Sequence, residues 1–414
     1  MRQSLLLLKL VILSLASSVC QAQNEAQSEV ASTERYIQAR QAEFGQCLDN
    51  LRARAARESI PAETIDTVFG TIRFLPEVIK LDRTQAEFTK TFQEYVKATI
   101  TEGRVEKGRQ MFAKHREYLA ELTKEFGIPG QYLTAFWGLE SNFGSFMGRT
   151  ATFDTLATLG CDPRRSDFFS GELLMALKLL AENDLTVESF QGSWAGALGH
   201  TQFMPSNYRR YGVDGDNDGV VDLWNSERDA LRSAANFLNQ LGWRTGERWG
   251  REVRLPDDFD YQNAGAGSAN TLANWAVLGV RRADGKALPL IELPASIIVP
   301  QGHLGPAFVV YPNFDVIMKW NRSQSYALAV GHLADRIVGA GKLSRLTATS
   351  GPRLTRQLVS DMQLQLQRLG YDPGEVDGLY GGGTKAALRA YQAQNGLIAD
   401  GFPDQSTIEA LLKL

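Results

Sequence analysis

Apolar residues along this chain recur mostly at helical spacing. Phe69, Ile72, Leu75 and Val78 fit one helix face, as do Leu173, Leu174, Ala176, Leu177 and Leu180. This pattern runs from Ala42 to Gly242, cut by short breaks such as Gly127-Ile128-Pro129. Residues 244–312 change character. Ser296-Ile297-Ile298-Val299 and Phe308-Val309-Val310-Tyr311 are short apolar runs flanked by Pro and Gly, which predicts strands in a small subdomain. A helical pattern returns over Phe314–Ile337, and the small, polar residues 343–353 read as a linker. Beyond it, Met362, Leu364, Leu366 and Leu369 form one helix face. Ala386, Ala387, Ala390 and Tyr391 form another, and Leu411, Leu412 and Leu414 close the chain. The expected fold is mainly α, with a small β-containing subdomain and a separate helical C-terminal unit.

The first residues read as a targeting segment. Arg2 is followed by Leu5–Leu15, apolar except for Lys9 and Ser14, and then by small residues ending in Cys20-Gln21-Ala22. This predicts a secretory signal peptide over 1–22, a polar tether over 23–40 and a periplasmic protein. A membrane anchor is the competing reading, but the apolar run is short against the ~20 residues a span needs. Cys20 suggests a lipoprotein, yet Ser17-Ser18-Val19 is a poor lipobox.

The 414 residues allow two or three domains, and a composition 43% hydrophobic and 22% charged argues for a globular protein. Removal of the signal peptide takes away two basic residues and no acid, so a net charge of −3 becomes −5. Nothing here suggests nucleic-acid binding, which relies on clustered Lys and Arg. Cys47 and Cys161 then remain, either as a disulfide favoured by export or as two buried thiols.

Three segments carry candidate chemistry. In the first, Leu133–Gly144, an apolar helix ends at Glu140, with Phe136 and Trp137 at i−4 and i−3 on its face. A carboxyl held against rings loses water, which raises its pKa and suits it to general acid work. An exposed Glu at a helix end is the bland alternative. The second, Gly196–Tyr208, is Gly-rich and then offers Gln202 to hydrogen-bond a sugar or peptide amide over a floor of Phe203 and Met204. The third, Phe314–Tyr326, places Trp320, Asn321 and Tyr326 within seven residues, suited to stacking on pyranose rings and bonding hydroxyls. Core packing competes for both rings.

Together these segments resemble the lytic murein transglycosylase B family (glycoside hydrolase family 103). The resemblance runs from Phe44 through Gly339. It includes Asp82-Arg83 with Glu87-Phe88, Gly138-Leu139-Glu140, Arg164-Arg165-Ser166 with Phe168-Phe169, Gly199 through Pro205, Tyr326 through Val330 and Leu333 through Arg336. It implies a lysozyme-like helical core with Glu140 as single acid/base. Tyr95, Ser141, Asn142, Gln202, Phe203, Met204, Asn236, Trp320, Asn321 and Tyr326 would bind substrate. Two positions depart from the family pattern: Trp320 stands where a Tyr occurs, and Phe237 follows Asn236 in place of a Tyr.

The implied reaction cleaves the MurNAc–GlcNAc β-1,4 bond of peptidoglycan and closes a 1,6-anhydro ring. The substrate's own C6 hydroxyl is the nucleophile, so one carboxyl serves where ordinary glycosidases need two. No cofactor is required. A hydrolytic muramidase and a non-catalytic peptidoglycan-binding scaffold are the alternatives. Peptidoglycan strands are the expected partner, with other wall-remodelling enzymes as candidates.

Asp214-Gly215-Asp216-Asn217-Asp218-Gly219-Val220 matches the first half of an EF-hand loop. Position twelve is Asn225, so Asp229 would have to close a longer loop. Asp214, Asp216, Asp218, Val220 and Asp229 are candidate ligands of a structural calcium; an ion-free Asp/Gly turn is the alternative. The four His are scattered, with no zinc-like spacing.

At the C-terminus, Leu366–Tyr371, Val376–Gly381, Thr384–Ala387, Tyr391–Gly396 and Asp400-Gly401 resemble the small three-helix peptidoglycan-binding domain of wall hydrolases. Its implied role is to tether the enzyme. The expected layout is a catalytic domain over 41–342, a linker over 343–353 and a peptidoglycan-binding domain over 354–414.

Overall fold

The computed structural model describes residues 31–84, 90–183, 185–265, 270–346 and 353–413. The signal peptide, with Glu87 and Phe88, lies outside the described residues. The chain is mainly helical and divides into two compact units.

The first unit takes in the described residues up to Thr84, with those of Gly148–Leu198 and Phe203–Arg209. Its central helix, Thr152–Gly160, is buried along its whole length and packs on the helix Ser166–Glu182. Cys47 and Cys161 are joined by a disulfide, with Cα atoms 5.9 Å apart. Buried charges explain the Asp-Arg and Arg-Arg motifs here. Asp82 receives Arg164 at 2.7 Å and is also bonded by Arg165, while Asp162 receives Tyr36 Oη at 3.0 Å.

Two expectations change in this unit. Residues 31–40, read as tether, are helical within a helix that covers 31–57, and the Arg83 guanidinium sits 3.6 Å from the Tyr36 ring centre. Phe69 to Val78 is not one helix. The helices are Ala62–Phe69 and Pro76–Thr84, because Pro76 lacks an N–H to continue a preceding turn and is accommodated at a helix start.

The second unit contains three hydrophobic cores. The largest surrounds the helix Gly130–Ser141, whose residues Tyr132 through Gly138 are all buried. Helices Glu102–Lys114, Arg116–Phe126, Glu227–Gln240 and Gln324–Ile337 pack against it. A helix apolar on every side belongs in such a position. The second core underlies a four-stranded antiparallel sheet, in the order Arg281–Arg282, Gly250–Arg254, Ala307–Val310, Ser296–Ile298. The last two strands are the apolar runs read from sequence. The first two carry charged residues and were not read as strands.

The third core joins helices Arg356–Arg368, Gly382–Gln394 and Gln405–Leu412 through Met362, Leu366, Leu388, Tyr391 and Leu411. Leu364, expected on the same face as Met362, is 41% exposed because a helix turns i+2 away from i, and Leu369, 44% exposed, is the residue that ends the helix.

The stretch Phe314–Ile337 also differs from expectation. It forms two helices, Pro312–Trp320 and Gln324–Ile337. Asn321 Oδ1 accepts the Ser323 N–H at 3.0 Å, and Ser323 Oγ caps the second helix at Tyr326 N.

Candidate active site

Glu140 is the penultimate residue of the helix Gly130–Ser141 and is half-buried. The helix stops abruptly because Asn142, Phe143 and Gly144 all take left-handed backbone, with φ of 50°, 59° and 76°. This turn folds the Phe143 ring back beneath Gly138, where a Cβ would come within 2.7 Å of it. Gly138-Leu139-Glu140 therefore combines a small residue for close packing with an acid two residues further on.

Two donors meet on one oxygen of Glu140. Trp320 Nε1 donates to Oε1 at 2.9 Å, and the Tyr326 hydroxyl donates to the same Oε1. The break at Asn321–Ser323 lets both side chains arrive there. Trp320 is held between Phe136 and Phe237, with ring centres 4.4 and 5.0 Å away, and Tyr211 lies 4.5 Å beyond Phe237. Burial, and then the Glu140 charge, push the Tyr326 phenol well above its ordinary pKa. That phenol keeps its proton and remains a donor.

Trp137 does not wall the carboxyl as expected. Its indole is buried and donates Nε1–H to His200 Nδ1 at 2.9 Å, so the ring beside the acid comes from Trp320. His200 was missed in the sequence, and it braces the end of the Glu140 helix. Its carbonyl accepts Ser141 Oγ at 2.7 Å, and a Cβ on Gly144 would meet its ring at 2.1 Å. Burial lowers the pKa of His200, consistent with a neutral ring that accepts from Trp137.

Gln202 has positive φ (49°), uncommon for a side-chain-bearing residue. Its Nε2 donates to Gly199 O at 2.8 Å and Met147 O at 3.1 Å, which fixes the amide plane. Tyr95 packs beside the same core and lies close to Tyr326.

The other residues expected to contact substrate take their places in the local fold. Ser141 is 1% exposed and bonded to His200 O and Gly144 N, so it holds the turn and presents nothing to a ligand. Phe203 is 1% exposed and packs within the first unit; its backbone pairs with Leu198. Met204 is half-buried in that unit. Asn142 accepts from Arg104 Nε at 3.3 Å, Asn236 Nδ2 donates to Tyr211 O at 3.0 Å, and Asn321 is committed to Ser323 N–H. Each of the three amides thus has one of its groups engaged in the local fold. Phe146, also missed, closes the turn onto Ser141 O yet is 78% exposed, an open ring six residues after Glu140.

The acidic loop gathers Asp214, Asp216 and Asp229, each with an oxygen within 4.8 Å of the others. Asp229 is buried and takes the Gly215 and Asp222 N–H groups at 2.7 Å each. Asp218 is not in the group. It turns to Val220 N–H at 2.8 Å, an Asx turn, and Val220 itself is exposed. Asn225 Nδ2 donates to Asp222 at 2.8 Å.

With this geometry in place, the comparisons with known proteins fall into line. A transglycosylase SLT domain model matches residues 43–335, and a peptidoglycan binding domain model matches residues 355–411. The chain is 27% identical over 301 residues to membrane-bound lytic murein transglycosylase B of Escherichia coli strain K12, covering 66% of this chain and 78% of that protein. It is similar to Pseudomonas aeruginosa SltB3, solved with NAG-anhNAM-pentapeptide, at 40% identity and TM-score 0.84. That match covers 89% of this chain and 99% of SltB3. Escherichia coli Slt35, solved in complex with calcium, is 26% identical with TM-score 0.60, covering 72% of this chain and 92% of Slt35.

Proposed function

This chain belongs to the transglycosylase SLT domain family, and from that premise we propose that Glu140 is the single acid and base of its reaction. The protein is a peptidoglycan lytic transglycosylase with a lysozyme-like helical fold. It cleaves the MurNAc–GlcNAc β-1,4 bond and leaves a 1,6-anhydro-MurNAc end.

The observation that carries the residue assignment is the pair of donors on Glu140 Oε1. In a carboxylic acid the carbonyl oxygen accepts and the hydroxyl oxygen donates. Two N–H and O–H donors on Oε1 select it as the carbonyl oxygen, so the acid proton sits on Oε2. Oε2 passes that proton to the glycosidic oxygen as the C1–O bond breaks. The carboxylate then takes the C6 hydroxyl proton while O6 bonds to C1. One C–O bond breaks, one forms, and the proton moves from O6 to the leaving oxygen with no water consumed. Trp320 and Tyr326 stabilise the intervening carboxylate.

Gln202, with its amide plane fixed, and Tyr95 are proposed as glycan contacts. Tethering by residues 354–414 would raise the local concentration of the catalytic site at the wall. A periplasmic location rests on the N-terminal segment; among the described residues, no helix is long and apolar enough to cross a membrane. There the enzyme would work beside other wall-remodelling enzymes. We also propose a structural calcium held by Asp214, Asp216 and Asp229. Three convergent carboxylates suit a hard cation, and the ion takes no part in the reaction.

Digestion of purified sacculi by wild type and Glu140→Gln, with mass analysis of the products, tests the mechanism. Wild type yields anhydro-MurNAc ends and the variant yields none while still binding sacculi. Reducing ends from wild type would establish a hydrolytic muramidase. Anhydro product from the variant would remove Glu140 from its role.

A further inference from the structure

A cavity of about 640 Å³ lies beside the start of the helix Gln324–Ile337, and Glu140 is not among the residues lining it. Three helix N-termini converge on it: Thr91-Phe92 of Phe92–Thr99, Ser323–Ser325 of Gln324–Ile337, and Gly381–Thr384 of Gly382–Gln394. Thr91 and Ser323 cap their helices with side chains, but Gly381 supplies no side-chain cap. Helix starts present N–H groups and the positive end of the helix dipole, which favour an anion.

Side chains add to that field. Lys90, Arg322 and Lys385 all line the cavity. The Lys385 ammonium has one hydrogen bond, to Gln324 Oε1 at 3.4 Å, and forms no ion pair among the described residues. Enclosure by protein, and then repulsion from Arg389, lower its pKa to about 8, so it remains mostly charged at neutral pH. Glu375 and Asp377 also line the space, but Asp377 is occupied by Gln363 Nε2 and Leu379 N–H. Three cations against two acids leave the lining net positive, and three helix starts add to that, which makes a site for a negatively charged group.

We propose that this cavity binds a carboxylate of the peptide stem carried by MurNAc, and so favours peptide-bearing glycan. This rests on the reading that the Glu140 site cleaves at MurNAc. Ser325 lines the cavity, and the next residue, Tyr326, bonds Glu140. An extended stem of five residues spans roughly 17 Å. The stem's carboxylates are the anionic groups nearest the scissile bond.

The test uses the full chain on glycan strands with intact stems, on the same strands with stems removed by an amidase, and on strands whose stem carboxylates are amidated. Lys385→Met and Arg322→Gln should each raise KM about tenfold on intact strands and leave kcat within twofold. Both constants should stay within twofold on stripped and amidated strands. Lys385→Arg should keep the wild-type KM, which separates loss of charge from misfolding. Equal losses on all three substrates would overturn the proposal, as would a wild type indifferent to the stem carboxylates. A wild type forming no anhydro ends on any substrate would instead remove the premise about Glu140. In that event, titration of free stem peptide into Glu140→Gln, with and without Lys385→Met, still decides the cavity. Binding unaffected by Lys385→Met, or absent altogether, would overturn it.

Discussion

The indole Nε1 of Trp320 lies 2.9 Å from Oε1 of Glu140, across 180 residues of sequence. Hydrogen bonds to charged groups contribute about 1.5–3 kcal/mol, so their loss in the reaction's carboxylate state slows turnover by about 10–100-fold. Trp320→Phe keeps a ring between Phe136 and Phe237 and deletes only the N–H. The expected outcome is a fall in kcat of that size with KM changed less. Tyr326→Phe should behave alike. Because both donors serve one oxygen, the double variant should lose less than the product of the two single losses. Strictly multiplicative losses would mean the two donors act independently.

That relationship could not be read from the sequence, and the reason is physical. The apolar run into Glu140 and the two rings and the amide at 320, 321 and 326 were each visible, but their meeting depends on the helix break at Asn321–Ser323. Continuous helical periodicity hid that break, and a short Asx-type bond created it. Local pattern also misassigned Trp137. Spacing correctly put it near Glu140 in projection, but His200, 63 residues away, draws its indole elsewhere. Ser141 and Phe203 looked like site residues because they flank Glu140 and Gln202. In a close-packed turn, however, alternate residues must face inward. The disulfide, by contrast, was one of the two readings that the cysteine count left open, and the bond joins Cys47 to Cys161.

Reduction should destabilise the first unit. Cys47 and Cys161 are separated by 114 residues, and closing so long a loop constrains the unfolded chain. A stability loss of about 2–4 kcal/mol is expected for the Cys47→Ala, Cys161→Ala double variant, read from denaturant midpoints. Both cysteines belong to the first unit and Glu140 to the second, so anhydro product per folded molecule should persist at 25 °C. Equal midpoints for wild type and the double variant would contradict this.

Acid should weaken the fold through His332. Burial, and then the Arg336 charge, lower its pKa from 6.5 to about 4. Between those values the unfolded chain binds a proton that the folded protein refuses. Stability is therefore full above pH 6.5 and falls as pH drops toward 4, by on the order of 3 kcal/mol. Asp335, whose pKa burial raises, acts in the opposite direction and offsets part of this. Thermal melts at pH 7 and 4.5 should differ less in His332→Leu than in wild type. An unchanged difference would assign the acid limb to other groups.

Calcium should raise thermal stability, and Asp229 decides whether it can. Asp214, Asp216 and Asp229 bring three like charges together, an arrangement a divalent cation relieves. Asp229 is buried at the first turn of the helix Glu227–Gln240, which packs on the Glu140 helix, so filling the loop stiffens the support behind the acid. An ion that binds only the folded state stabilises it by about 2.7 kcal/mol at a hundred times Kd. Melting temperature should rise with added calcium, fall again with chelator, and respond less to magnesium, which demands stricter octahedral geometry. Asp229→Asn should abolish the calcium response. Asp218→Asn should preserve it, because Asp218 lies outside the cluster of Asp214, Asp216 and Asp229. Loss of the response in Asp218→Asn and its survival in Asp229→Asn would place the ion elsewhere in the loop.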